Sequence, residues 1–305
     1  MSGPSLQQLS ENAYAWIGAG GNSNAGAVIT AEGITAIDAQ QTPALGREFR
    51  ASIEKAAAAR VTRLIDTHLH LDHTTGNIAF ADVPIIAHRR TADMLEAELG
   101  PARGGHWTIC DTGTKLRLFF GANIEELVGA DLSLREWFLK RVSGPAHARI
   151  DLVAPRETFA HEMTIATRDG PVHLTYWGPA HCDGDLIVHL PERKIAFLGD
   201  LLFVGRFPWL GDCDLDGWIA TLDRLLGMDL ETVVPGHGPV STLREIRDFW
   251  HLLAALRGAV AAAISRGLSE EAVAAEIALP EFEQLPRYRE WLKPNLRSVY
   301  RYLKR

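Results

Sequence analysis

Four residues of metal-ligand type crowd into one short stretch of this chain. His68, His70, Asp72 and His73 lie in Thr67-His68-Leu69-His70-Leu71-Asp72-His73, directly after an apolar run that reads as a strand. In an extended chain residues i and i+2 face the same side, so His68 and His70 can address one ion together. The next same-side position lies roughly 13 Å from the first at ~3.3 Å rise per residue. Asp72 and His73 therefore belong on a turn, where they could hold a second ion beside the first. Imidazole and carboxylate are the donors a zinc or iron site takes. Any one of these histidines alone reads as surface or as satisfied core. Four candidate ligands crowded behind one strand do not.

Other ionisable residues collect in similar places. Gly178-Pro179-Ala180-His181-Cys182-Asp183-Gly184-Asp185 falls between two strand-like runs, Leu198-Gly199-Asp200 ends a third, and Pro235-Gly236-His237-Gly238 follows a fourth. Strand ends are where an α/β scaffold displays its chemistry. Asp38 and Asp66 also end strands, and each is either an outer partner orienting a ligand imidazole or a simple turn residue.

The elements that must position these residues are legible as patterns. Tyr14–Ile17, Ala25–Thr30 and Ile34–Asp38 are short apolar runs separated by turns such as Gly18–Gly21 and Glu32–Gly33. Pro43 suits the first turn of a helix to about Ala59, with Leu45, Phe49, Ile53 and Ala57 on one face, and Val61–Asp66 is the next strand. Strands return at Pro171–Trp177, Leu186–Leu190, Ile195–Leu198 and Thr232–Val234, with a helix over Asp216–Leu226. Thr242 with Glu245 is a capping box opening a helix to about Arg266. Ser269 opens another, ahead of the first-turn acids Glu270 and Glu271. Leu292, Leu296, Val299 and Leu303 recur at helical spacing in the tail despite Pro294.

Composition narrows the class. The chain has 305 residues, 47% of them hydrophobic and 23% charged, with a net charge of −7. That excludes disordered, collagenous and coiled-coil chains and gives no general attraction to nucleic acid or anionic membrane. The three cysteines, Cys110, Cys182 and Cys213, form no disulfide framework. The first residues show neither the basic nor the apolar region of a signal peptide. No apolar run approaches the ~18 residues of a membrane span. A soluble, cytoplasmic protein acting on a small molecule is the expectation.

With these residues assembled, the chain resembles the metallo-β-lactamase superfamily, whose H-x-H-x-D-H loop matches residues 68–73. His181, Asp200 and His237 match the later family ligands in order, and the resemblance runs from about residue 10 to 243. It implies an α/β fold, the four-layer αββα sandwich, with two sheets face to face and helices outside. It also implies a glyoxalase II-like dinuclear site. One ion would be held by His68, His70 and His181, and a second by Asp72, His73 and His237. Asp200 would bridge them, offsetting the repulsion of two dications. Two zinc ions are the expected cofactors, with iron or manganese as alternatives. The implied reaction is attack by a metal-bridging hydroxide on an ester, thioester, lactone or amide carbonyl, with Asp72 as candidate proton shuttle. An aspartate at 200 resembles the thioesterase, lactonase and phosphodiesterase branches more than the true β-lactamases. No tyrosine lies between Asp200 and His237, which weakens the lactonase option. The competing readings are a mononuclear iron persulfide dioxygenase-like oxidoreductase, and β-lactamase or phosphodiesterase activity on the same scaffold.

Substrate choice must come from outside the metal loops. Phe203, Phe207, Pro208 and Trp209 closely follow Asp200 and are candidate pocket residues, with an apolar loop packed on the core as the alternative. The expected organisation is a catalytic domain over residues 1–243 and a helical extension over 244–305 packed on it. An insertion over about 91–150 carries Trp107, Phe119, Phe120, Trp137 and Phe138. We expect the insertion to form a helical cap above the metals, with a homodimer interface as the alternative use of its aromatics. The basic tail is either a solvated helix face or a recognition element for an anionic substrate, such as a glutathione or coenzyme A thioester. Cys182 reads as a small buried filler, and His88, His106, His147, His161, His173, His189 and His251 as structural or surface.

Overall fold

The computed structural model describes residues 3–167 and 170–305. In chain order its strands and helices are β1 (Ser5–Ser10), β2 (Ala13–Ile17), β3 (Ala25–Thr30), β4 (Gly33–Ile37), α1 (Pro43–Ala57), β5 (Val61–Ile65), α2 (Leu71–Thr74), β6 (Ile85–His88), α3 (Arg89–Leu99), β7 (His106–Ile109), α4 (Thr112–Phe120), α5 (Ile124–Val128), α6 (Leu132–Val142), β8 (Ile150–Val153), β9 (Glu157–Phe159), β10 (Glu162–Thr167), β11 (Gly170–Thr175), β12 (Ile187–Leu190), β13 (Ile195–Phe203), α7 (Leu215–Leu226), β14 (Thr232–His237), α8 (Leu243–Ser265), α9 (Glu270–Glu276) and α10 (Tyr288–Leu303).

Strand periodicity builds the layers. Seven strands pair in the order β1-β2-β3-β4-β5-β6-β9 and five in the order β10-β11-β12-β13-β14. Alternate residues of each strand face opposite sides. Ala13, Ala15, Ile37 and Ile65 of one sheet meet Val188, Leu190, Ile195, Phe197 and Val234 of the other in a shared inner core. The intervening residues face outward. Tyr14, Trp16, Ile34 and Leu64 pack beneath Phe49 and Ile53 of α1. Ala196, Leu198 and Val233 pack beneath α7, α8 and α10 through Trp218, Leu222, Phe249, Leu253 and Leu296. The result is helix, sheet, sheet, helix, the expected αββα sandwich. All nine residues of β13 are buried, which accounts for the apolar residues on both sides of Gly199 and Asp200.

The caps read from sequence are present. Thr42 accepts from Leu45 N at 3.2 Å with Pro43 following, and the Thr242–Glu245 capping box opens α8. Helices α8 to α10 share their buried face with the second sheet in one core cluster. The insertion differs from a purely helical cap. Its helices α4 to α6 are flanked by β7 and β8, which pair antiparallel, and Trp107 is buried in a cluster with Leu95 and Leu152 rather than displayed. β1, β6 and β9, not expected from sequence, complete the first sheet. Among the described residues no helix is long and apolar enough to cross a membrane.

Candidate metal centre

The C-terminal ends of the parallel strands converge on one edge of the sandwich. β4 runs into Asp38 and β5 into the His68–His73 turn. β13 contains Asp200 and β14 ends in His237. The β11–β12 connection supplies His181. Two glycines make this convergence sterically feasible. A Cβ on Gly236 would lie 1.9 Å from Asp200 Oδ1, so only glycine lets the carboxylate pass. Gly199 has φ +50° at the point where the β13–β14 register shifts, and a Cβ there would lie 2.5 Å from Thr67 Oγ1.

The seven side chains fall into two groups, His68, His70, His181 and Asp200, and Asp72, His73 and His237. His181 Nε2 lies 3.0 Å from His70 Nδ1 and 3.4 Å from Asp200 Oδ2, and His68 Nε2 lies 3.9 Å from Asp200 Oδ2. On the other side, Asp200 Oδ1 is 3.1 Å from His73 Nε2 and 3.5 Å from His237 Nε2. Asp72 Oδ2 is 3.2 Å from His237 Nε2 and 3.8 Å from His73 Nε2. The two oxygens of Asp200 therefore face different groups. Tetrahedral ligands at ~2.05 Å from an ion stand about 3.3 Å apart, and these spacings bracket that value.

The residues fit metal ions on a second, independent ground. His68 Nε2, His73 Nε2 and Asp200 Oδ1 are buried with no hydrogen-bond partner among the described residues. Buried polar atoms without partners are costly and rare. Here His73 Nε2 and Asp200 Oδ1 stand 3.1 Å apart, and His68 Nε2 stands 3.9 Å from the other oxygen of the same carboxylate.

Outer contacts fix the rings. Asp38 Oδ2 accepts from Thr67 Oγ1 at 2.9 Å and lies 2.9 Å from His73 Nδ1, while Asp38 Oδ1 accepts from Thr67 N at 2.8 Å. The carboxylate thus places the Nδ1 proton on His73 and leaves Nε2 free, the arrangement a metal-facing imidazole needs. Asp66, the other candidate outer partner, accepts from Asn77 Nδ2 at 2.8 Å instead and touches no ligand ring. Phe203 stacks on His237 at 5.3 Å between ring centres and meets His181 edge-on at 5.6 Å. Trp218 backs His181 at 5.1 Å. Asn24 Nδ2 donates to Pro235 O and Gly238 O, each at 2.8 Å, pinning the turn around His237.

Charge follows the same partition. Burial drives His68 and His70 below the usual imidazole range and His181 down to about 3. For His73 burial acts in the same direction, but Asp200, Asp72 and Asp38 outweigh it and raise the pKa. Burial opposes ionisation of Asp72 and Asp200, yet the facing imidazoles hold both below the usual carboxylate range.

A cavity of about 380 Å³ opens onto His70, Asp72, His181, Asp200 and His237. Phe203 and Trp209 line it, as sequence position suggested. Phe207 does not. It is fully buried and packs on Tyr288 at 5.1 Å, because the chain after β13 turns that side chain back into the core. Phe119, Phe120 and Trp137 of the insertion and Trp291 of α10 form more of the wall. His147, set aside as structural or surface, also lines the cavity, its Nε2 3.1 Å from Gln41 O. Arg141, Arg206 and Arg287 line it too, and no motif in the sequence marks them. Cys182 is buried, its Sγ 3.3 Å from Asp185 Oδ1, and burial raises both thiol and carboxyl, the latter to about 7.

Comparison with known proteins decides the family. The family model described as the metallo-beta-lactamase superfamily matches residues 18–237. The chain belongs to this superfamily. It is 22% identical over 209 residues to the 2,4-dinitroanisole O-demethylase subunit alpha of Nocardioides sp. (strain JS1661), covering 67% of this chain and 49% of that protein. It is 27% identical over 186 residues to an acyl-coenzyme A thioesterase of Bos taurus, covering 59% of this chain and 57% of that protein. The chain thus spans about half the length of these curated relatives. Among solved structures, the metallo-beta-lactamase from Pontibacter korlensis superposes with a TM-score of 0.60 at 21% identity, over 82% of this chain and 99% of that one. These relatives include hydrolases, and the likeness in structure is one of fold.

Proposed function

We propose that this protein is a dinuclear metal-dependent hydrolase of a carbonyl substrate, an ester, thioester, lactone or amide. The observation carrying this reading is the division of Asp200, one oxygen facing His68 and His181 and the other facing His73 and His237. His68, His70 and His181 would hold one ion, Asp72, His73 and His237 the other, and Asp200 both. Two dications held there supply Lewis acidity and a water acidified toward neutral pH.

The chain's own residues do the rest. Burial keeps His68, His70 and His181 unprotonated, so their ring nitrogens offer lone pairs rather than protons. Asp38 holds the His73 proton at Nδ1 and so fixes the direction of Nε2. Phe203 and Trp218 exclude water behind the His181 ring and prevent it from turning. The Asp72 carboxylate is one-fifth exposed and lines the cavity floor. Ionised and facing the cavity, it would be placed to relay a proton between a water and a departing group. The cavity volume matches a small organic substrate.

The thioesterase among the relatives supports a carbonyl substrate. The test is turnover by the zinc-loaded protein across thioesters, carboxyl esters, lactones, phosphodiesters and β-lactams. Metal-dependent cleavage of at least one carbonyl class, lost in His68→Ala, is expected. Cleavage of phosphodiesters alone would overturn the reading.

A further inference from the structure

The charged wall of the cavity has a composition that the metal residues do not explain. Asp72 and Asp200 are committed to the candidate ions. The other strongly charged side chains lining the cavity are Arg141 of α6, Arg206 after β13 and Arg287 at the start of α10. Three distant segments of chain thus bring three guanidiniums to one space.

None of the three has a close carboxylate partner there. Arg206 is half-buried, its Nη1 donates to Gly21 O at 2.8 Å, and its Nε has no partner among the described residues. The same Nη1 lies 3.0 Å from His237 Nδ1. Its guanidinium stands 4.7 Å from the Trp291 ring centre. Arg141 and Arg287 approach the one ring of Trp137 at 4.6 and 5.3 Å. The nearest acid to Arg287 is Glu290, at 3.9 Å. Like charges gathered on aromatic faces gain modestly from the rings and repel one another. Arg287 is also held at φ +75°, the left-handed region a non-glycine residue seldom adopts. Such a set is completed by an oxyanion, since the guanidinium fork matches carboxylate, sulfate and phosphate geometry.

We propose that the cleft selects an anionic substrate. Its carboxylate, sulfate or phosphate is held by Arg141, Arg206 and Arg287, and its apolar body lies against Trp137 and Trp291 beside the metal centre. The location of the scissile bond rests on the hydrolase reading above, whereas the anion site does not.

The experiment measures binding first. Zinc-loaded protein is titrated with benzenesulfonate and with methyl phenyl sulfone, an uncharged molecule of similar shape, by calorimetry and by quenching of tryptophan fluorescence. The sulfonate should bind at least 10-fold tighter, and that advantage should shrink with added salt. In the double variant R141Q/R287Q, with metal content and circular dichroism checked, it should fall to less than 3-fold. R149Q serves as control, because Arg149 pairs with Asp151 on the surface and does not line the cavity. It should keep the full advantage. Equal affinity for the two probes, or an unchanged advantage in the double variant, overturns the anion site. Turnover of aryl acetate and aryl hemisuccinate esters then separates the two readings. Turnover without preference for the hemisuccinate removes the anion site and leaves the hydrolase. Sulfonate selectivity with no turnover of either ester, nor of any thioester, lactone or β-lactam of the panel above, on metal-loaded protein removes the hydrolase and leaves the anion site.

Discussion

Asp38→Asn changes one atom and should cost the second ion its affinity. Asp38 Oδ1 accepts from Thr67 N at 2.8 Å, and Oδ2 lies 2.9 Å from both Thr67 Oγ1 and His73 Nδ1. An asparagine that keeps the Thr67 N bond turns its NH₂ toward His73 Nδ1. The ring then accepts at Nδ1 and carries its proton on Nε2, the atom that faces Asp200 at 3.1 Å. The flipped amide restores the His73 contact but sets NH₂ against the Thr67 N–H, leaving a buried donor unmet at about 1–3 kcal/mol. Loss of such an outer partner typically weakens a metal by 10- to 100-fold, or about 1.4–2.7 kcal/mol at 1.36 kcal/mol per decade. Competition with a chromophoric chelator, which resolves the two ions by affinity, is the assay. We expect the weaker ion of the variant to be displaced at 10- to 100-fold lower chelator while the ion at His68, His70 and His181 moves little. Wild-type affinity for both ions would refute the role of Asp38 and the assignment of Nε2 as the metal-facing atom of His73.

Other outcomes follow from the same geometry. On acidification the two ions should leave in order. A proton blocks an imidazole lone pair, and the carboxylates around His73 keep its proton at pH values above 6.5, whereas His181 stays unprotonated down to about 3. Falling pH should therefore release the ion of His73 first and pass through a one-ion state, visible in metal content after dialysis at graded pH. Simultaneous loss would contradict this. Phe203→Ala removes the shared backing of His181 and His237. Thermal or denaturant unfolding should show about 3–5 kcal/mol of destabilisation, and metal exchange should quicken at both sites. Asn295, fully buried, accepts from Leu210 N at 3.0 Å and donates to Pro208 O at 2.8 Å. Asn295→Ala should cost about 1–3 kcal/mol and raise KM by loosening the Trp209 wall, with two ions retained. An unchanged KM would show that the Asn295 contacts do not hold the Trp209 wall in place.

How much of this was legible in the sequence varied with how local each signal is. His68 and His70 were legible as a pair because they follow the strand over 61–66 at i and i+2 and so face one side, whereas the grouping of Asp72, His73, His181, Asp200 and His237 with them was legible through the family resemblance of their motifs. α1 and α8 were legible from Pro43 and the Thr242–Glu245 box. β1 was not, because SLQQLS is a polar edge strand with little alternation. β6 and β9 were too short, at four and three residues, to show a period. Phe207 was misplaced because proximity to Asp200 in the chain says nothing of direction once β13 has turned. His147, Arg141, Arg206 and Arg287 were invisible as a set. Their meeting depends on how α6, the loop after β13 and α10 dock. Contacts such as Trp209 Nε1 to Phe120 O at 2.6 Å and Arg297 Nη1 to Leu127 O at 2.9 Å tie the loop after β13 and α10 to α4 and α5 of the insertion. No local pattern encodes such docking.

Metal content per chain, measured side by side on the wild-type protein and on Asp200→Ala, tests the central claim most directly. Because one carboxylate faces both histidine groups, the wild type should carry two ions and the variant should lose both together. One ion in the wild type, or a variant that sheds only one, would contradict a bridged pair.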